Sequence, residues 1–196
     1  MNIKIRKLSP TLLEDYLAFF DNTSHSTNLD EHKCYCVCWS NENYKGKDFS
    51  TAENRRSLAI EYVNQGNIQG YLAYYDDKVV GWCNANTKSD CLLCYSWQNY
   101  MQKVRTDEAV SNAKIKSIFC FALAPEMRRK GIATMLLKRV CEDAKEDGYD
   151  YIEAYPNKVF VNTEDDYMGP VKLYEKLGFM KCYEGDQRVV MRKKLY

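Results

Sequence analysis

The sequence predicts an α/β fold: a mixed, mostly antiparallel sheet of six or seven strands flanked by helices, in one domain spanning residues 1–196. Three observations carry this. The continuous apolar run Ser117–Leu123 is followed by Ile132, Met135, Leu136, Val140 and Ala144 at helical spacings, then by a second strand-like run, Tyr149–Tyr155. Strand, helix and strand in that order make a βαβ unit with parallel pairing. Two further pairs of segments read as antiparallel hairpins: Gly70–Asp76 with Lys78–Ala85 around Asp76-Asp77, and Phe179–Tyr183 with Arg188–Arg192 around Gly185-Asp186. A length of 196 residues fits one domain with a sizeable core.

The remaining elements follow in chain order. Ile3–Lys7 alternates apolar and polar residues, as a strand does. Ser9-Pro10 ahead of Thr11-Leu12-Leu13-Glu14 supplies an N-cap and an N1 proline for a helix. Residues 21–49 are rich in Asn, Ser, Asp and Lys, which predicts loop or short irregular structure. Ser50, with Glu53 three residues on and Leu58, Ile60, Tyr62 and Val63 beyond, predicts a helix to Asn64. Trp97–Val110 gives no clear pattern. Gly148 ends the central helix, and Pro170–Leu177 reads as a short helix stopped by Gly178.

Charge and composition narrow the partners. Lys and Arg number 28 against 27 Asp and Glu, a net charge of +1, so the broad field that attracts nucleic acid or anionic lipid is absent. Neither nucleic acid nor membrane is an expected partner, and a bound anion must be held locally. Met1–Phe20 mixes charged with apolar residues and has no signal-peptide core. The uncharged stretch Cys91–Gln102 contains Ser96, Gln98 and Asn99 and falls short of a membrane span. A cytoplasmic location is therefore expected, and a homodimer is compatible with the sequence.

Nine cysteines, an odd number without an export signal, point to free thiols. Cys34-x-Cys36-x-Cys38 with Cys91-x-x-Cys94 invites a zinc reading. If 34–38 is extended, its sulfurs are spaced about 6.6 Å per step, too far apart for all three to ligate one ion. A site with two ligands from each segment is the alternative. Packing beside Tyr35, Val37 and Trp39 is the expectation, with no metal.

The chemistry concentrates between strand 117–123 and helix 131–147, in Arg128-Arg129-Lys130-Gly131-Ile132-Ala133-Thr134. A helix start presents N–H groups without intrahelical partners and carries the positive end of the macrodipole, so phosphate is its natural ligand. Gly131 and Ala133 keep the turn free of bulk, and three adjacent cations add attraction. Neither a Rossmann Gly-x-Gly-x-x-Gly nor a P-loop Gly-x-x-x-x-Gly-Lys-Ser/Thr is present.

Arg128-x-x-Gly131-x-Ala133 resembles the Arg/Gln-x-x-Gly-x-Gly/Ala signature of the GNAT superfamily of acyl-CoA N-acyltransferases, with Ala in place of the commoner second Gly. Tyr174-Glu175-Lys176-Leu177-Gly178-Phe179 is similar to that family's Tyr-x-x-x-Gly-Phe element. The resemblance spans about Ile115–Tyr183, is looser at 70–85, and does not reach 21–50 or 86–114. It implies acetyl-CoA as cosubstrate, with its diphosphate on Arg128, Arg129, Lys130, Gly131, Ile132, Ala133 and Thr134. Its pantetheine would run along Phe121, Ala122 and Leu123, where the family's central parallel strand pair splays. Backbone groups left unpaired there need partners, which pantetheine would supply.

It further implies acetyl transfer to a primary amine, small molecule or peptide, directly within a ternary complex. An alkylammonium with a pKa near 10 must lose a proton before it attacks, so a carboxylate or a water chain is required. Glu153, on the strand after the signature helix, is the expected base. Glu164, Asp165 and Asp166 could instead attract a cationic substrate or be a solvated loop. Tyr174 is the family-matched acid for the departing thiolate, and the N–H near Leu123 the oxyanion donor. Among the aromatic residues between Tyr71 and Tyr100, Trp82, with Asn84 and Asn86 near the end of its strand, is the expected acceptor contact. The rival expectation is a non-catalytic acyl-CoA-binding module or sensor.

Overall fold

The protein is described from a computed structural model covering residues 1–23, 32–104, 112–162 and 166–196. Seven strands form one sheet: β1 (Lys4–Lys7), β2 (Gly70–Tyr75), β3 (Lys78–Thr87), β4 (Ile115–Leu123), β5 (Tyr151–Ala154), β6 (Met180–Glu184) and β7 (Val189–Lys194), in the order β1-β2-β3-β4-β5-β7-β6. All neighbours are antiparallel except β4 and β5. Helices α1 (Leu13–Asn22), α2 (Ala52–Gln65), α3 (Tyr95–Tyr100), α4 (Ile132–Glu146) and α5 (Val171–Glu175) cover it. Among the described residues no helix is long and apolar enough to cross a membrane.

Local chemistry explains the punctuation. Asp76 and Asp77 both take positive φ, 49° and 57°, as the two central residues of a hairpin turn matched to strand twist require. Thr51, one residue later than expected, caps α2 by accepting from the Asn54 N–H at 3.1 Å. Gly66, at φ 76°, closes that helix. Of the uncertain segment Trp97–Val110, residues 97–100 close α3, whose six residues are too few to show periodicity in sequence, and 105–110 lie outside the described residues. The Cys34–Cys38 segment is not extended: Tyr35 and Cys36 turn through φ 46° and 53° into a 3-10 turn at Val37–Trp39. Among the described residues no three His, Cys, Asp or Glu side chains are placed to hold a metal ion.

The feature that positions the site is the uneven length of the parallel pair. Strands β4 and β5 are in register only from Ile115 with Tyr151 to Ile118 with Ala154. β4 then continues for five more residues, still paired on its other side with β3 through Leu123 opposite Gly81. Between Phe119 and Leu123 the sheet is therefore open on the β5 side.

Apolar side chains fill both faces. One face packs under α4 through Ile118, Ile132, Leu136, Val140 and Ile152. The other packs under α1 and α2 through Tyr16, Phe20, Tyr62, Trp82 and Phe119. Gly81 lets the start of α4 lie close to the sheet, because a Cβ there would come within 2.7 Å of Leu123 and 3.2 Å of Ile132. The strand carrying the opening and the helix that follows it are thus packed as one unit.

Candidate active site

A cavity of about 110 Å³ lies at the opening and is lined by Phe121, Ala122 and Leu123 of β4, Arg128 and Ala133 of the following turn, and Tyr167 and Leu173. Two hydrogen bonds fix the direction of the strand's remaining donors. Ala124 N–H donates to Val80 O at 3.0 Å, toward β3, whereas Phe121 N–H donates to Tyr167 O at 2.7 Å, away from it. Antiparallel alternation therefore aims the Leu123 N–H into the cleft. The expected free N–H at Phe121 is instead taken by the chain's own carbonyl.

The turn into α4 is built to present donors. Gly131 is the N-cap at φ 82°, and no side chain caps the helix. The first main-chain bond of the helix is Met135 N–H to Gly131 O at 3.1 Å, so Ile132, Ala133 and Thr134 keep their N–H groups outside the ladder. No acidic side chain stands in the first turn to compete for them. A Cβ on Gly131 would meet nothing within 4 Å, which leaves open space over the turn. Arg129 is also left-handed, at φ 61°, and alternating backbone of this kind makes an anion-binding nest. Arg128 lines the cavity, Arg129 is exposed, and Lys130 turns its amine toward Met127 Sδ at 3.9 Å. The residues fit a diphosphate approached by backbone and extended toward β4.

The two expected catalytic side chains stand elsewhere. Glu153 is fully buried, and both oxygens are engaged. Oε1 accepts from Arg192 Nε at 2.7 Å and lies 2.6 Å from its other nitrogen, while Oε2 accepts from Lys88 at 2.7 Å and the Tyr155 hydroxyl at 2.8 Å. Ser117 extends this network to Tyr155 at 2.8 Å. Glu153 sits within the paired stretch, opposite Ser117, and does not line the cavity. Tyr174 is also fully buried: its ring packs on Phe179 and its hydroxyl donates to Met168 O at 2.5 Å. Burial pushes this phenol well above its ordinary pKa, so it stays a proton donor.

The expected acceptor residues belong to the core. Trp82 is buried against Tyr16, 5.0 Å between ring centroids, and Asn84 donates to Cys36 Sγ at 3.2 Å and Trp39 O at 3.4 Å. Asn84 thereby holds the 3-10 turn against β3. Of the acidic loop, Glu164 and Asp165 lie outside the described residues. Asp166 does line the cavity, but accepts from Asn157 Nδ2, from Val161 N–H at 2.6 Å and from Asn162 N–H at 3.1 Å. It fastens a loop.

Tyr167 carries no sequence signal of its own; it lines the cavity, and its carbonyl holds the Phe121 N–H. Burial raises the pKa of its phenol, against the opposing pull of the Arg188 charge. Phe20 of α1 completes the wall. Neither carries a local sequence signal, because each reaches the site only through tertiary packing.

Residues 14–179 match the Acetyltransferase (GNAT) family. No curated protein matches the chain. Solved structures with the same fold include an N-acetyltransferase from Staphylococcus aureus Mu50 (TM-score 0.55, 18% identity, 100% of both chains covered). A second is the ribosomal-protein-alanine N-acetyltransferase from Brucella melitensis (TM-score 0.55, 18% identity, 98% of this chain and 99% of that one). A third, the PaiA N-acetyltransferase from Thermoplasma acidophilum, is in complex with coenzyme A (TM-score 0.54, 20% identity, 99% of both chains). With a seven-stranded sheet opened at its parallel pair, an uncapped helix start beside the opening, and a family match over most of its length, this chain belongs to the GNAT acetyltransferase family.

Proposed function

We propose that the protein transfers the acetyl group of acetyl-CoA to a primary amine, directly, with both substrates bound at once. The observation that carries this is the continuity of donors from the open edge of β4 to the uncapped start of α4, which suits an extended thioester ending in a diphosphate. The helix N–H groups of Ile132, Ala133 and Thr134 hold the phosphates, Arg128 adds charge at the cleft wall, and β4 aligns the pantetheine arm. Acetyl-CoA supplies the activated carbonyl carbon.

The chain's own residues then set the reaction's geometry. The amine nitrogen forms the new C–N bond as the C–S bond breaks, the amine gives up its proton, and the sulfur leaves with the bonding pair and is protonated. Leu123 N–H is the donor for the carbonyl oxygen as it gains charge. Glu153 and Asp166 have both oxygens occupied, so the proposed proton acceptor is water in the cleft rather than either carboxylate. Tyr174 is kept as the proposed acid on the family resemblance alone: it lies outside the cavity lining, and its hydroxyl must exchange Met168 O for the departing sulfur to act.

The test pairs calorimetric titration with CoA and an amine-library screen that follows free thiol release from acetyl-CoA. Binding of CoA with turnover of at least one amine, and a Tyr174→Phe variant that loses turnover while binding CoA, are the expected results. Binding without turnover of any amine would favour the non-catalytic acyl-CoA module. Absence of CoA binding at saturation would overturn both.

A further inference from the structure

A second cavity, about 640 Å³, lies between the end of α3 and the β6–β7 hairpin, with Gln98, Tyr100, Lys103, Tyr183, Asp186 and Arg188 among its walls. The two cavities adjoin at Arg188: it lines this one, and its Nη1 reaches Met168 Sδ at 3.1 Å, next in sequence to Tyr167, which lines the other. The volume falls in the range of small-molecule sites.

The electrostatics of Arg188 are incomplete. The residue is partly buried, and its Nη1 donates to Tyr155 O at 2.9 Å and to Met168 Sδ at 3.1 Å. Both of these partners are neutral. Among the described residues no carboxylate forms an ion pair with it, although Glu153 pairs with Arg192 and Glu184 with Lys158 and Lys181 nearby in the chain. A guanidinium withdrawn from water normally finds an anion, because a partly desolvated charge held only by neutral acceptors is costly. Its planar fork matches a carboxylate in two parallel hydrogen bonds. Lys103 adds a second cation on the rim.

We propose that this cavity receives the acceptor, and that the acceptor is an amine carrying a carboxylate, an amino acid or short peptide, anchored by Arg188. The carboxylate lies on the Arg188 side and the amine points past Tyr167 toward the thioester. Polyamines are expected to be the poorer acceptors, since a second ammonium in place of the carboxylate would face Arg188 and Lys103, with Asp186 on the same wall. This inference rests on the acetyltransferase reading above and commits it to a substrate class.

The experiment compares matched acceptors with the whole protein and acetyl-CoA, following thiol release: amino acids against their decarboxylated amines, and dipeptides against the corresponding dipeptide amides, with spermidine as a dication. The expected preference in kcat/KM for the carboxylate-bearing member is about 10- to 100-fold, the worth of a charge-assisted hydrogen-bonded pair. Arg188→Met should abolish that preference by raising KM for the acceptor, leave CoA affinity unchanged, and be partly rescued by Arg188→Lys. The amino-acid and dipeptide arms distinguish the two sources of the carboxylate. Turnover of amines with no carboxylate preference in the unaltered protein, or of spermidine as readily, would overturn this inference while leaving the acetyltransferase reading intact. If no amine of any kind turns over, that reading itself fails.

Discussion

Glu153→Gln separates a catalytic carboxylate from a structural one. The side chain is fully buried and neutralises Arg192 and Lys88, whose own side chains are only 10% and 12% exposed. Removing its charge while keeping its shape leaves two cations in a low-dielectric interior, a loss of about 3–5 kcal/mol for breaking a buried pair from one side. Unfolding entropy of about 2.1 cal/mol/K per residue gives about 0.4 kcal/mol/K for 196 residues. The midpoint of thermal unfolding should therefore fall by about 7–12 °C. Desolvation already pulls the Lys88 amine below its ordinary pKa against the pull of Glu153, so losing the carboxylate favours neutral Lys88 further. Calorimetric scanning reads the midpoint, and thiol release at about 20 °C, where the variant remains folded, reads turnover. The reasoning requires a large drop in midpoint with kcat within about twofold. An unchanged midpoint with kcat reduced a hundredfold or more would restore Glu153 as the base and refute the structural assignment.

Three further outcomes follow from particular residues. Gly131→Ala clashes with nothing but must hold φ near 82°, so it should cost about 1–2 kcal/mol of stability and weaken CoA binding by about tenfold, read by calorimetry; unchanged affinity would remove the turn from the phosphate site. Gly70→Ala would place a Cβ 2.2 Å from Cys83 O and 2.4 Å from the Trp82 ring, and the backbone contact cannot yield, so soluble protein or at least about 3 kcal/mol of stability should be lost; a normal denaturation midpoint would contradict the packing. Tyr16, Tyr155 and Tyr174 are all raised well above the ordinary phenol value, chiefly by burial. Their contribution to stability is full below about pH 10, where the unfolded phenols are still protonated, and is lost as pH rises beyond it. Denaturant titrations from pH 8 to 11 should show that decline, and a flat profile would contradict it.

Much of the fold is legible because its signals are local. Asp76-Asp77, Gly148 and Gly178 punctuate elements by conformations that only certain residues accept, and the apolar spacing of α4 is strong over fifteen residues. The proposed phosphate turn is legible for the same reason: Gly131 and the N–H groups after it belong to the backbone of one short segment. The rest of the site is assembled across the chain. Glu153 reads as a carboxylate on a cleft-bordering strand, and only the approach of Lys88 and Arg192 from β3's end and β7 reveals its burial. Trp82 and Asn84 read as strand-end polar and aromatic groups, but α1 and the 3-10 turn cover them. Tyr167 and Arg188 belong to no motif, and their meeting depends on where the final hairpin crosses the molecule.

The bond from Phe121 N–H to Tyr167 O has a consequence for how tightly any visitor can hold this edge. A guest amide that claims the Phe121 donor must evict an internal carbonyl already seated at 2.7 Å, so one contact is exchanged rather than gained. If the proposed cofactor binds here, its hold at this position is thereby weaker than at the helix start, a bias that would favour prompt release of the spent thiol after each round.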